Sequence, residues 1–384
     1  MADLPSGLYS PGVAIFVSTI LYTIVVASIF GNLLVIVAFF TDAKLRHTVR
    51  NVYLLNLAIA DLMVATLSMP YDAFWARHGY ADWPLGEGVC KLWLTADFTA
   101  CSVSVISVIY ISLDRYWLIK KKAKYAMLQK TKKAIIMCVI PWIFLSFYYG
   151  ITISGWSALT GQSSLDYSWQ CEAEHVNSLF FNVITVIFEF IIPSIAIAYL
   201  NMTVYLYIRT RKRTSNQNRV FQIHLNSENT VSPNESPSTG DEVPCGNRRI
   251  TTTRYMSEHF TDHHEEASAQ IDQELSNPLV ASRRTQDNII DDSSKRGKAG
   301  RTLGLVVAVF VSCWLPYNMY LIVITLCDSC YNEHIWTLVN WLLWCNSTVN
   351  PLIYAVTTPR FCYAFKTIVC LSKKHSQVNI HPTV

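Results

Sequence analysis

The chain has 384 residues, of which 51% are hydrophobic and only 15% charged, and its formal net charge is +4. Soluble domains carry about 25% charged residues. The apolar residues here are gathered into long blocks, which excludes a string of ordinary soluble domains. The small positive excess falls in a few loops between the blocks, so it signals membrane orientation and gives no reason to invoke nucleic acid.

A helix needs about 20 apolar residues to cross a bilayer. Blocks of that length lie at 13–40, 52–75, 89–119, 134–156, 178–208, 302–326 and 335–357. They predict an all-α membrane protein, a bundle of seven transmembrane helices. Residues 1–12 are expected outside the cell and are too short for a ligand-binding domain. The first block exceeds a signal-peptide core and has no basic residue before it, so it is expected as a retained span.

The loops orient the bundle. Lys44, Arg46 and Arg50 follow span one, Lys120, Lys121, Lys122, Lys124, Lys130, Lys132 and Lys133 lie between spans three and four, and Arg209, Arg211, Lys212 and Arg213 follow span five. That basic side is the cytoplasm, which places the N-terminus outside and the C-terminus inside.

Spans one to five occupy 13–210. Residues 211–298 are polar and poor in apolar side chains, so a disordered cytoplasmic loop is expected. Within it, HFTDHHEE (259–266) has the look of metal ligands, but a solvated polar stretch is the better reading. Arg248-Arg249-Ile250-Thr251 is a weak match to a basophilic kinase site. Spans six and seven fall in 299–357. Residues 358–384 follow as a tail, and Pro359–Lys366 alternates aromatic and basic positions at helical spacing. A short amphipathic helix on the inner membrane face is expected, with Cys370 a candidate for palmitoylation or an unmodified thiol.

Of the eleven cysteines, Cys90, Cys171, Cys327 and Cys330 fall on the oxidising outer side, where disulfides form. A Cys90–Cys171 bridge would pin the loop before span five over the bundle. A second bridge would close Cys327-Asp328-Ser329-Cys330. No G-x-S-x-G, HExxH or phosphate-cradling glycine loop occurs, so no catalytic residue is assigned and no enzyme is expected.

Apart from Asp114 at the inner end of span three, four acids lie inside the spans: Asp61 and Asp72 in span two, Asp97 in the outer half of span three, and Glu189 in span five. Ionisable groups in a span cost roughly 2.5–3.5 kcal/mol each on insertion scales and are functional by default. No Lys, Arg or His lies at matching depth. The partner is therefore a cation from outside, a proton or a hydrated network.

The outer acids point to a cationic ligand. Asp97 shares a helical face with Cys101, Ser104 and Val105, and Thr185, Glu189 and Pro193 share one in span five. Phe310, Trp314, Tyr317 and Asn318 in span six, and Trp336, Asn340, Trp341 and Trp344 in span seven, have the same kind of spacing. An ammonium needs one charge partner and several π faces. Taken singly, each aromatic is more simply bundle packing; facing two unpaired acids, they make a binding site. Asp114-Arg115-Tyr116 closes span three roughly 27 Å from Asp97, an outer anion and an inner cation on one helix. Arg115 alone would read as a positive-inside anchor.

These stretches together resemble the rhodopsin-like (class A) G-protein-coupled receptors across all seven spans. The motifs are Gly31-Asn32, LNLAIADL (55–62), Asp114-Arg115-Tyr116, Trp142, Pro193, Cys313-Trp314-Leu315-Pro316 and Asn350-Pro351-Leu352-Ile353-Tyr354, together with the Cys90–Cys171 pair. The resemblance implies a sodium and activation network at Asp61 with Asn346, Asn350 and Tyr354, an allosteric sodium ion being the one cofactor or metal expected. It implies a rotamer switch at Trp314 and G-protein coupling through Asp114, Arg115 and Tyr116. It also implies a plasma-membrane location, a heterotrimeric G protein as partner, and arrestin and receptor kinases.

Within that class Asp97 sits where receptors for biogenic amines hold their ammonium. Glu189, the stretch FEFIIP (188–193), Asn201, Cys101 and WLLWCNSTVNP (341–351) look like the histamine receptors of the third and fourth subtypes. The resemblance implies a ligand site of Asp97, Phe98, Cys101, Thr185, Glu189, Trp314, Tyr317, Asn318, Asn340 and Trp344, and coupling to an inhibitory G protein. Asp97 would take histamine's ammonium and Glu189 its imidazole N–H. Phe98 where a Tyr is expected, Asn318, the extra acid Asp72, and Arg296 at the inner end of span six depart from the pattern. Asn318 keeps a muscarinic acetylcholine-like or other amine receptor open. A cation transporter or channel is the remote alternative, opposed by the missing internal repeat. A retinal-linked receptor is disfavoured because span seven has no Lys for a Schiff base.

Overall fold

A computed structural model describes residues 10–78, 83–121, 125, 130–161, 167, 171–228 and 305–378. The chain forms two units, residues 1–207 with 298–384, and residues 208–297. The described residues are helical apart from turns and loops.

Span one is Pro11–Thr41. Span two is Val49–Met63, a π turn Val64–Ser68, and Met69–His78. Spans three and four are Gly86–Lys120 and Thr131–Thr160. Span five is Leu179–Thr185, a second π turn Val186–Ile191, and Ile192–Glu228. Span six is Leu305–Leu326, span seven Glu333–Thr357, and the C-terminal helix Pro359–Val378. The first six are long and apolar enough to cross a membrane. Span seven carries Asn340, Asn346, Ser347, Thr348 and Asn350, which lower its hydropathy; Asn346, Ser347 and Asn350 are buried in protein.

The start of the expected disordered segment, 211–228, is helical, because the helix of span five runs on to Glu228. The rest of 211–298, with HFTDHHEE, the kinase-like stretch and Arg296, lies outside the described residues.

Proline explains both π turns. Pro70 and Pro193 each follow such a turn closely, and neither has an N–H to return to the carbonyl four residues back. The ring also crowds that carbonyl, so the helix widens by one residue. The N–H of Met69 bonds the carbonyl of Val64, and that of Ile192 the carbonyl of Ile187, both five residues back. The first π turn ends at Ser68 and the second contains Glu189. The widening therefore sits where the two spans present polar side chains.

Burial separates inner from outer helices. About two thirds of span two's most apolar window is buried, against 22% in span four. Span two packs on spans one and three, and span one on span seven and the C-terminal helix. Gly31 is the close-approach point: a Cβ there would stand 3.0 Å from Cγ of Pro351 in span seven. Trp142 donates to Asn56 (2.9 Å), and Asn56 donates to Ser107 (2.7 Å), which ties spans four, two and three. The C-terminal helix buries Phe361 against Tyr354 and Phe365, and leaves the Cys370 thiol exposed.

Candidate functional site

The outer half of the bundle is closed from above by a loop. Cys90, at the start of span three, is disulfide-bonded to Cys171, and Cys327 to Cys330. The first bridge holds a 3-10 turn, Glu174–Asn177, against span four. His175 in that turn is buried, its ring centroid 4.2 Å from Phe181, 5.6 Å from Phe98 and 6.0 Å from Trp156. Burial in this apolar cage pushes the imidazole down to about 4, so it is neutral at physiological pH. Tyr167 donates to Glu174 (3.0 Å), and burial with this bond raises the phenol.

Beneath the loop stand the outer acids, each half-buried. Asp97 accepts a short hydrogen bond from Ser68 and a long one from the Cys101 thiol (3.7 Å). Glu189 accepts a short bond from Tyr149 and a weaker one from Ser102 (3.3 Å), and the two hydroxyls are 2.8 Å apart. Asp97 and Glu189 lie close enough to interact electrostatically, and both act on Tyr317. No basic side chain among the described residues pairs with either acid. Hydroxyls and a thiol supply dipoles to the two carboxyls, and no side-chain cation is bonded to either.

Of the other expected ligand residues, Tyr317 lies in the field of both acids. Phe98 packs against Tyr149 at 5.5 Å. Trp314 is buried and stacked on Phe310 (5.6 Å), with its indole N–H unpartnered. Tyr317 packs on Trp336, and Trp344 meets Trp341 edge to face at 5.7 Å. Thr185 is half-buried one turn before Glu189. The amides of Asn318 and Asn340 each donate one N–H to their own helix, to the carbonyls of Trp314 and Trp336, both at 2.9 Å. Asn318 is only 3% exposed, and each amide keeps a second N–H and its carbonyl oxygen beyond that bond.

Sequence reasoning missed Ser68, Ser102 and Tyr149. Pro70 marked the π turn that ends at Ser68, and Ser102 follows the acid face of span three by one residue. Nothing in span four distinguished Tyr149 from its lipid-facing neighbours.

Deeper in the bundle Asp61 is fully buried. It accepts from Asn350 (2.7 Å), Ser347 (2.8 Å) and Ser104 (3.0 Å). Asn350 stands in the expected network. Asn346 and Tyr354 do not bond Asp61; Ser104 and Ser347 take those places, and the Tyr354 hydroxyl is buried without a partner. The donor set suits a small hard cation. One carboxylate and two hydroxyl oxygens converge in a buried site, and hard cations take oxygen ligands. Asp61, Ser104 and Ser347 would hold a sodium ion.

At the inner end Asp114 accepts from Tyr125 (2.8 Å). Arg115 next to it has a buried Nε without a partner, as has Arg50 across from it, and Tyr116 is half-buried.

Comparison with known proteins gives one family and a set of full-length relatives. The family described as 7 transmembrane receptor (rhodopsin family) matches residues 31–354. The chain is 28% identical to the histamine H4 receptor of Homo sapiens over 376 residues, covering 94% of this chain and 92% of that receptor. It is 27% identical to the histamine H4 receptor of Mus musculus over 397 residues, 96% of each. It is 26% identical to the 5-hydroxytryptamine receptor 1B of Didelphis virginiana over 361 residues, 92% of this chain and 86% of that receptor.

Proposed function

We propose, from the premise that this chain belongs to the rhodopsin family of seven-transmembrane receptors, that its outer site takes a small cationic amine, and that histamine fits it best. The chain is a multi-pass receptor of the plasma membrane and no enzyme. One observation carries the ligand reading. Asp97 and Glu189, on spans three and five, face one region with only hydroxyl and thiol donors around them. An ammonium compensates one carboxylate. A second N–H donor, at the far end of a short ligand, bonds the other. Tyr317, Trp314 and Trp344 supply the π faces. The names of the H4 relatives support histamine.

The ligand works by preference for one of two arrangements. An agonist that binds the active arrangement more tightly shifts the population toward it by its differential affinity. A rigid-body move of span six would open the inner end around Arg115, where a heterotrimeric G protein of the inhibitory class engages. Arrestin and receptor kinases are the further partners. A sodium ion at Asp61 would favour one arrangement by supplying positive charge between spans two, three and seven.

A second reading is a serotonin-like receptor, favoured by 5-hydroxytryptamine receptor 1B relatives at nearly the same identity. The acetylcholine-like reading keeps Asn318 as its support. A panel of histamine, serotonin, dopamine and acetylcholine, read as suppression of cyclic AMP in transfected cells, separates these. Histamine alone, or most potently, should suppress it. A response only to serotonin would replace the ligand, and no response to any amine would sink the proposal.

A further inference from the structure

A third acid stands at the same end of the bundle. Asp72 lies one turn outward of Ser68 on the same face of span two, and Ser68 is the residue that bonds Asp97. One helical turn puts Asp72 about 6 Å nearer the outer surface. Its carboxylate accepts a short bond from the indole N–H of Trp341. Trp341 in turn holds Trp344 edge to face, so a second indole ring packs on the one that bonds the acid.

Asp72 is only half-buried. It keeps accessible surface, and among the described residues it has no basic partner. It is near enough to Asp97 to interact with it. A single ammonium on Asp97 therefore leaves a second carboxylate uncompensated, one turn outward, beside indole faces that suit another cation. A structural carboxylate at this depth is costly, and one indole dipole does not balance it.

We propose that Asp72 is a specificity-determining residue that receives a second cationic centre, so that the preferred ligands are amines bearing a further ammonium about 6 Å from the first. This rests on the reading that Asp97 binds an ammonium. The ligand enters along span two with its inner ammonium at Asp97 and its outer one between Asp72, Trp341 and Trp344. Asp72 and Trp341 then select for length and charge where Asp97 selects for the amine itself.

The test uses two probes built on histamine. Both carry the same alkyl arm on the side-chain nitrogen, one arm ending in an ammonium and the other in a hydroxyl. Their affinities are measured by competition against radiolabelled histamine on membranes of cells expressing the full chain. The wild type should prefer the ammonium arm by about tenfold, and Asp72→Asn should reduce that preference to less than about threefold. An equal preference in wild type and variant, or none in the wild type, overturns the proposal. If Asp72→Asn does not reach the surface, Asp72→Ser replaces it. It too removes the charge and should reduce the preference to less than about threefold, and a preference retained as in the wild type counts against the proposal. Failure of histamine itself to bind the wild type sinks the reading under Proposed function and this one with it. Histamine binding without arm discrimination sinks only this one.

Discussion

Replacing Glu189 by Gln removes one charge and little shape. Two effects on a bound amine follow, and they separate by range. The first is the general field: a unit charge removed at about 10 Å, in an effective dielectric of about 20, costs a cation on the order of 1.7 kcal/mol. That term acts on every cationic amine alike. The second is local. A hydrogen bond to a carboxylate is worth about 1.5–3 kcal/mol and one to a neutral acceptor about 0.5–1.5, so a ligand N–H that bonds Glu189 loses a further 1–1.5 kcal/mol or so, about five- to tenfold in affinity. The hydroxyls of Tyr149 and Ser102, which now donate to Glu189, can turn to accept from the new amide, so the variant should fold. The assay compares histamine with an amine of similar size lacking a second donor, by competition binding at matched surface expression. The ratio of their affinities should fall about five- to tenfold in Glu189→Gln. Equal losses for both would leave only the general field and remove Glu189 from ligand contact; no loss for either would remove it from the site.

Two predictions concern the scaffold. Gly31→Ala places a Cβ 3.0 Å from Pro351 Cγ and 3.1 Å from its Cβ, so the variant should unfold at a lower temperature, by the equivalent of about 1–3 kcal/mol, and an unchanged melting temperature would mean that spans one and seven yield there freely. His175 titrates near 4 in the folded chain, below its ordinary 6.5; the unfolded chain binds the extra proton first, so this contribution is whole above pH 6.5 and is lost as pH falls toward 4, about 3 kcal/mol at most. His175→Phe should therefore lose less melting temperature than wild type between pH 6.5 and 4, and parallel curves would show that the cage does not hold the imidazole neutral.

The spans were legible because a bilayer forces long apolar blocks whatever the packing. Which side of each helix faces protein was less so. Span four reads as apolar all round, and only the fold shows that Tyr149 turns inward to Glu189 while Phe144 and Phe147 remain exposed. The intramembrane acids were legible as functional because so few charges enter a span, yet their partners sit on other helices. Ser68 and Ser347 look unremarkable in sequence, and Ser104 reads there as part of the Asp97 face; the fold brings Ser68 to Asp97, and Ser104 and Ser347 to Asp61. Asn318, expected at the ligand site from its spacing in span six, also bonds the carbonyl four residues back in its own helix, a local bond that spacing does not reveal. Composition also misjudged 211–228, where a helix already formed in span five continues through polar residues without a new nucleation step.

The most direct measurement is the affinity of radiolabelled histamine for Asp97→Asn at matched surface expression. The substitution keeps the side chain's shape and its capacity to accept from Ser68, and removes only the charge. Truncating one partner of a buried charge pair costs about 2–5 kcal/mol, so affinity should fall on the order of a hundredfold or more. Affinity retained within about threefold of wild type would contradict an ammonium bound at Asp97.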